Sequence, residues 1–195
     1  MKQIINNKTY LSLAILLAFT FFVFYPSLNC ELTNWDDQKL IVNNHLVRSL
    51  SLSNLKELFG GLYWYNYQPL TILSFAIEYH FFRINPKVIH LTNILFHLLN
   101  VILVYIFIHS LSIHSRDRSV IALITATLFA IHPMRVESVT WATERKDVLY
   151  TFFFLLSLIK YIKYVKLTTL NNQYPTSNIQ YHPSTISLLL SFIIF

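Results

Sequence analysis

Two carboxylates stand side by side at Asp36 and Asp37, preceded by Asn34 and Trp35 and followed by Asn43, Asn44 and His45. Adjacent carboxylates repel each other, so such a pair calls for a compensating partner, and a carboxylate held in that way suits general-base work. The commoner use of an isolated Asp-Asp is a helix N-cap or a solvated turn. A second cluster is denser: His132, Arg135 and Glu137, then Glu144, Arg145, Lys146 and Asp147, place six charges and a histidine within sixteen residues. There an arginine would grip a phosphate with its bidentate fork and a lysine would act as a point charge. The bland alternative is a hairpin laced with weak surface salt bridges. A third set is periodic. His90, Asn93, His97 and Asn100 fall within an arc of about 80° at 100° per residue, so they share one helix face. His90 and His97 lie about 10.5 Å apart along the axis, too far to ligate one metal ion together. Hydrogen bonding between helices is the expected role of this stripe, ahead of a catalytic one.

The elements that carry these groups are membrane helices. The chain has 195 residues, 54% hydrophobic and 12% charged, against about 25% charged in an ordinary soluble domain. Its mean hydropathy is +0.48. Gly60 and Gly61 are the only glycines, which excludes a Rossmann GxGxxG, a Walker loop and a GxSxG elbow. The single cysteine, Cys30, excludes an internal disulfide and a Cys-rich zinc site. About 20 apolar residues are needed to cross a hydrocarbon core of roughly 30 Å. Long windows free of Asp, Glu, Lys and Arg predict spans over 10–28, 88–113 and 119–134, a fourth over 148–164 with Lys160 and Lys163 reaching for its interface, and the start of a fifth over 184–195. The stretch 68–82 begins with Pro69 and contains Glu78, which would cost about 2.5–3.5 kcal/mol at a bilayer centre, so it reads as an interfacial helix. Residues 53–59 read as a short helix stopped by Gly60.

With that assignment the net charge of +6 becomes a topology statement rather than a nucleic-acid signature. One side holds Lys2, Lys8, Arg116, Arg118, Lys160, Lys163 and Lys166 against Asp117, and the other holds eight basic and eight acidic residues. The positive-inside rule predicts a cytoplasmic N-terminus over 1–9, an extracytoplasmic loop over 29–87, three spans within 88–166 joined outside by 133–147, and a cytoplasmic linker over 167–183. A signal peptide is the rival reading of the first window, but no small-x-small cleavage site follows it. The chain stops at Phe195 inside an apolar run, which reads as a fragment of a longer protein.

Four motifs in order carry a resemblance: Asn34-Trp35-Asp36-Asp37; the run from Tyr67-Gln68-Pro69-Leu70 to Phe75; His90-Leu91-Thr92-Asn93 through His97; and His132-Pro133-Met134-Arg135-Val136-Glu137 with Glu144-Arg145-Lys146-Asp147. Together they resemble the N-terminal membrane part of the tetratricopeptide-containing, protein O-mannosyltransferase-like glycosyltransferases of C-type fold. The resemblance implies an all-α polytopic bundle, truncated here after about five spans, with further helices and a tetratricopeptide array to follow. It implies transfer of a sugar, often mannose, from a polyprenyl- or dolichyl-phosphate donor to a hydroxyl acceptor, typically protein Ser or Thr, on the extracytoplasmic face. Asp36 and Asp37 occupy the acidic motif, one as acceptor base. Arg135, Arg145 and Lys146 are the expected donor-phosphate ligands, supported by His90, Asn93, His97, His132, Glu137 and Asp147. The family does not fix whether a divalent metal ion assists. The expected partners are a lipid-linked sugar, a protein or other hydroxyl acceptor and membrane lipid, with no nucleic acid. The expected location is a bacterial inner membrane, or the endoplasmic reticulum in a eukaryote. Without later helices the donor cavity would lack walls and the chain alone would be inactive. A non-enzymatic membrane anchor or scaffold is the rival from another class, and a transporter, motivated by Glu78 and the histidines, is a third.

Overall fold

The computed structural model describes residues 7–112 and 115–173. The expected fifth span over 184–195 and most of the linker before it lie outside the described residues. Seven α-helices are described: α1 (Asn7–Phe24), α2 (Leu52–Gly60), α3 (Pro69–Phe82), α4 (Pro86–Leu111), α5 (Arg118–Ile131), α6 (Arg135–Thr140) and α7 (Arg145–Gln173). The fold is all-α, as expected. Among the described residues, three stretches are long and apolar enough to cross a membrane: Thr9–Asn29, Pro86–Leu111 and Arg145–Lys166.

Local chemistry sets most helix ends. Pro26 has no N–H to continue α1, which tightens into a 3-10 turn over Tyr25–Asn29. Ser51 caps α2 by accepting the Asn54 N–H at 3.2 Å, and Gly61 follows its last residue. Pro69 and Pro86 occupy the first turns of α3 and α4, where a missing N–H is harmless. Asn85 caps α4 by accepting the Lys87 N–H at 3.1 Å. Arg83 ends α3 in left-handed backbone with φ 58°. Arg48 and Arg83 flank Tyr79, and hydrogen bonding from Arg48 and then Arg83 lowers its phenol below the ordinary pKa.

α4 is the central helix, packed most extensively on α5 and α7, with α1 against α4 and α5. Asn93 meets the carbonyls of Trp141 and Ala142, Asn100 meets Val148, and Lys166 Nζ donates to the Ser110 carbonyl at 2.5 Å. α4 and α7 therefore run parallel. Parallel helices need a return leg between them, and α5 supplies it: its Ala130 lies beside His97. Ala122, Ala126 and Ala130 are fully buried at four-residue spacing, and these small side chains let α5 approach closely. The return leg is shorter than the 119–134 span expected from hydropathy. Fourteen residues rise about 21 Å, against a core of roughly 30 Å. Pro133 disfavours helical backbone at His132, which is extended with φ −63° and ψ 132°. Inside the apolar helices, Thr20, Thr92, Thr125 and Thr127 donate to carbonyls four residues earlier, so their hydroxyls need no outside partner.

The loop after α1 folds into its own small core. Ile41, Leu46, Val47, Leu58, Ile72 and Phe75 pack on Ile89 and Ala142, which seats the loop, α2 and α3 on the α4–α7 end of the bundle.

Candidate functional site

The periodic stripe of α4 is buried, with His90, Asn93, His97 and Asn100 at most 2% exposed. Helix phase placed them on one face, and that face is turned to the bundle interior. His97 Nε2 lies 2.9 Å from the Ala130 carbonyl and its ring is edge-on to Phe24 at 5.1 Å. Asn93 donates to the carbonyls of Trp141 (3.1 Å) and Ala142 (3.4 Å), and Asn100 donates to Val148 (2.9 Å). His97→Leu removes the link to α5, with an expected loss of about 1 kcal/mol. A lower detergent melting temperature reads that loss; a melt identical to the parent's would mean that the His97–Ala130 contact contributes nothing.

Arg145, the first residue of α7, takes up what Asn93 leaves open. Its Nε donates to Asn93 Oδ1 (2.8 Å), one terminal nitrogen to Ser74 Oγ (3.1 Å) and the other to the Ile89 carbonyl (2.8 Å). The guanidinium pairs with Glu78 at 2.8 Å and lies over the Phe75 ring, 4.2 Å from its centroid. Arg145 is fully buried, and it lines neither of the two larger cavities described below. Glu78, which argued against a crossing at α3, has its counter-charge here.

The acidic pair divides in the same way. Asp37 is 1% exposed; Oδ2 accepts the Thr33 N–H (2.7 Å) and hydroxyl (2.9 Å), and Oδ1 accepts the Thr143 N–H (3.1 Å). One carboxylate thus ties the loop after α1 to the turn between α6 and α7. Trp141 reinforces the joint by donating its indole N–H to Thr33 Oγ1 at 3.2 Å. Asp36 is half-buried and makes no hydrogen bond or ion pair among the described residues.

One cavity lies against that joint, and a second opens beside the start of α7. The smaller, about 280 Å³, brings together Asp37, His90, Glu137 and Trp141 with Cys30 and Glu31. The larger, about 750 Å³, is a groove between the 59–71 region and the start of α7. Its walls include Phe59, Tyr67, Leu70, Tyr150 and Phe153, with Lys146 and Asp147 at the α7 end. Lys146 Nζ pairs with Glu144 at 2.9 Å but stays 49% exposed, and Asp147 accepts from Ser138 Oγ at 2.9 Å. The remaining expected site residues stand apart. Arg135 lies over the Phe129 ring, 5.0 Å from its centroid, and His132 is exposed, accepting the Met134 N–H. Among the described residues no three His, Cys, Asp or Glu side chains gather as a metal-holding group.

Set against known proteins, the chain is 32% identical over 151 residues to the Protein O-mannosyl-transferase TMTC3 of Mus musculus, covering 72% of this chain and 15% of that protein. It is 32% identical over 149 residues to human Protein O-mannosyl-transferase TMTC4, covering 66% of this chain and 20% of that one. The chain is a relative of the protein O-mannosyl-transferases. Mouse Protein O-mannosyl-transferase TMTC4 extends the match to 182 residues at 30% identity, 82% of this chain and 23% of the relative. The chain therefore spans about a fifth of the length of these O-mannosyl-transferases. No protein-family model and no solved structure matches it.

Sequence reasoning missed the Thr33–Asp37–Thr143 joint, the Glu78–Arg145 pair and the aromatic groove. Only Glu78 left a trace, as an acid without a stated partner inside an apolar stretch.

Proposed function

We propose that the protein is a glycosyltransferase that moves a sugar from a lipid-phosphate donor to a hydroxyl acceptor, a protein Ser or Thr, at the extracytoplasmic face. The observation that carries this reading is the division of labour between the two acids. Asp37 is buried in the joint, and it holds Asp36 beside the joint with no partner of its own. An unpaired carboxylate in that position takes the acceptor's proton as its oxygen attacks the anomeric carbon, while the bond from that carbon to the donor phosphate breaks. A sugar phosphate is already a competent leaving group, so a base, alignment and charge stabilisation suffice.

The apolar groove suits the donor's polyprenyl chain, and Lys146 at its end supplies a cation for the departing phosphate. Arg145 is assigned instead to the framework, because its guanidinium is already committed to α3 and α4. Arg135 remains a second cation for the phosphate, or for a lipid headgroup. Relatives from mouse and human support an endoplasmic-reticulum membrane over a bacterial inner one.

The direct test is sugar transfer from a radiolabelled polyprenyl-phosphate donor, in membranes expressing the natural gene product. Lys146→Ala is expected to raise the donor requirement about tenfold, the effect of a charged hydrogen bond of about 1.5 kcal/mol. An unchanged donor requirement would remove Lys146 from the site. The proposed face is checked with a membrane-impermeant maleimide in a Cys30→Ser background. Ser138→Cys is expected to label from outside and Ser115→Cys is not; the reverse pattern inverts the topology.

A further inference from the structure

The smaller cavity carries chemistry that the transfer step does not use. His90 lines it and is 2% exposed, yet neither ring nitrogen closes a hydrogen bond, although the backbone of Cys30 and Thr140 approaches the ring. Its companions on the stripe, Asn93, His97 and Asn100, all reach carbonyl partners. A buried polar ring with both nitrogens unmet is rare and calls for something to occupy the space beside it.

We propose that this cavity is a subsite for one uncharged sugar ring, and that His90 recognises the hydroxyls of that ring. A neutral imidazole offers one N–H donor and one bare acceptor nitrogen, and a hydroxyl, being both donor and acceptor, answers either. A phosphate could only accept, and it would meet Glu31, Asp37 and Glu137 with no lysine or arginine among the lining residues. An ammonium would leave the imidazole N–H unmet. Trp141 adds an aromatic wall for the C–H face of a sugar, and its bond to Thr33 holds the indole in place. A volume of about 280 Å³ lies near the lower limit of small-ligand pockets, about 300 Å³, and excludes a polyprenyl chain. The cavity shares no lining residue with the groove, so the subsite stands on the chemistry of its own walls. The inference rests on the transfer reading for the reason a sugar arrives there, but sugar binding is measurable without turnover.

The test uses the whole chain in lipid nanodiscs with Trp35→Phe and Trp64→Phe, which leaves Trp141 as its only tryptophan. Methyl α-mannopyranoside, its gluco and galacto counterparts, inorganic phosphate and a blocked serine amide are titrated separately to about 100 mM, which covers millimolar affinities. At least one hexoside is expected to change Trp141 emission saturably. His90→Phe should weaken that binding at least about tenfold, whereas His90→Gln, which keeps a donor and an acceptor, should stay within about threefold. A flat response to all three hexosides in the parent chain overturns the proposal and leaves a water-filled cavity. So does saturation by phosphate or the serine amide in place of the sugars, or parent-like binding by His90→Phe. If His90→Phe yields no monodisperse protein, the parent titration and His90→Gln decide, and a His90→Gln variant that no longer binds overturns the assigned role. Hexoside binding by the chain with no transfer by the natural gene product overturns the transfer reading alone. Transfer by the natural gene product with a flat titration of the chain overturns the subsite alone.

Discussion

Arg145→Met is expected to remove most of the folded protein. The substitution leaves the Glu78 carboxylate in the interior with no counter-charge, and it takes a donor away from Asn93, Ser74 and the Ile89 carbonyl together. Breaking a buried ion pair by deleting one member costs about 3–5 kcal/mol, a large part of the roughly 5–15 kcal/mol by which a folded protein exceeds its unfolded chain. The double variant Glu78→Gln with Arg145→Met should regain part of the loss, because the stranded charge is gone. Size-exclusion profiles and melting curves in detergent measure both. An Arg145→Met protein that elutes and melts like the parent would free Arg145 from the framework and return it to the phosphate-binding set. The same experiment bears on the transporter alternative, since a Glu78 that serves as counter-ion to a structural arginine has no need of a transport role.

Asp36→Asn and Asp37→Asn are expected to fail in different ways. At Asp36 the exchange keeps the size of the side chain and removes its basicity, so transfer should fall about 10²–10⁴-fold, the usual contribution of a general base. Melting should shift by no more than about 0.5 kcal/mol, because no hydrogen bond is lost there. At Asp37 the amide replaces one of two accepting oxygens with an N–H₂ that faces donors. Thr33 supplies two of those donors and Thr143 the third. The expected cost is about 1–3 kcal/mol of stability, and the loss of transfer should track the loss of folded protein. Rates normalised to folded protein separate the two variants. If both transfer at the parent rate, the acidic pair is a structural turn and neither carboxylate is the acceptor base.

The helices, the shared face of the α4 stripe and the charge bias were legible in the chain because each is a local property. A run of apolar residues must bury or meet lipid, and a helix advances 100° per residue, so His90, Asn93, His97 and Asn100 had to share a face. Pro69 marked a helix start for the same kind of reason; the caps at Ser51 and Asn85 and the first-turn Pro86 came with the structure, although they too depend only on neighbours two or three residues away. The resemblance carried by four ordered motifs also required no contacts, and the relatedness to the O-mannosyl-transferases agrees with it.

What spacing could not decide was which member of each cluster faces inward. Asp36 and Asp37 are equivalent on paper; the Thr143 N–H, far along the chain, buries one of them and leaves the other unpaired. Arg145 and Lys146 are both cations at the start of α7, but consecutive helix positions point about 100° apart. That rotation turns Arg145 toward Glu78 and Asn93, and Lys146 toward the groove. His90 and His97 look alike in the stripe, and only the end of α5 determines that one meets the Ala130 carbonyl while the other is left beside a cavity. Such pairings depend on where distant segments come to rest, and a local period carries no record of that distance.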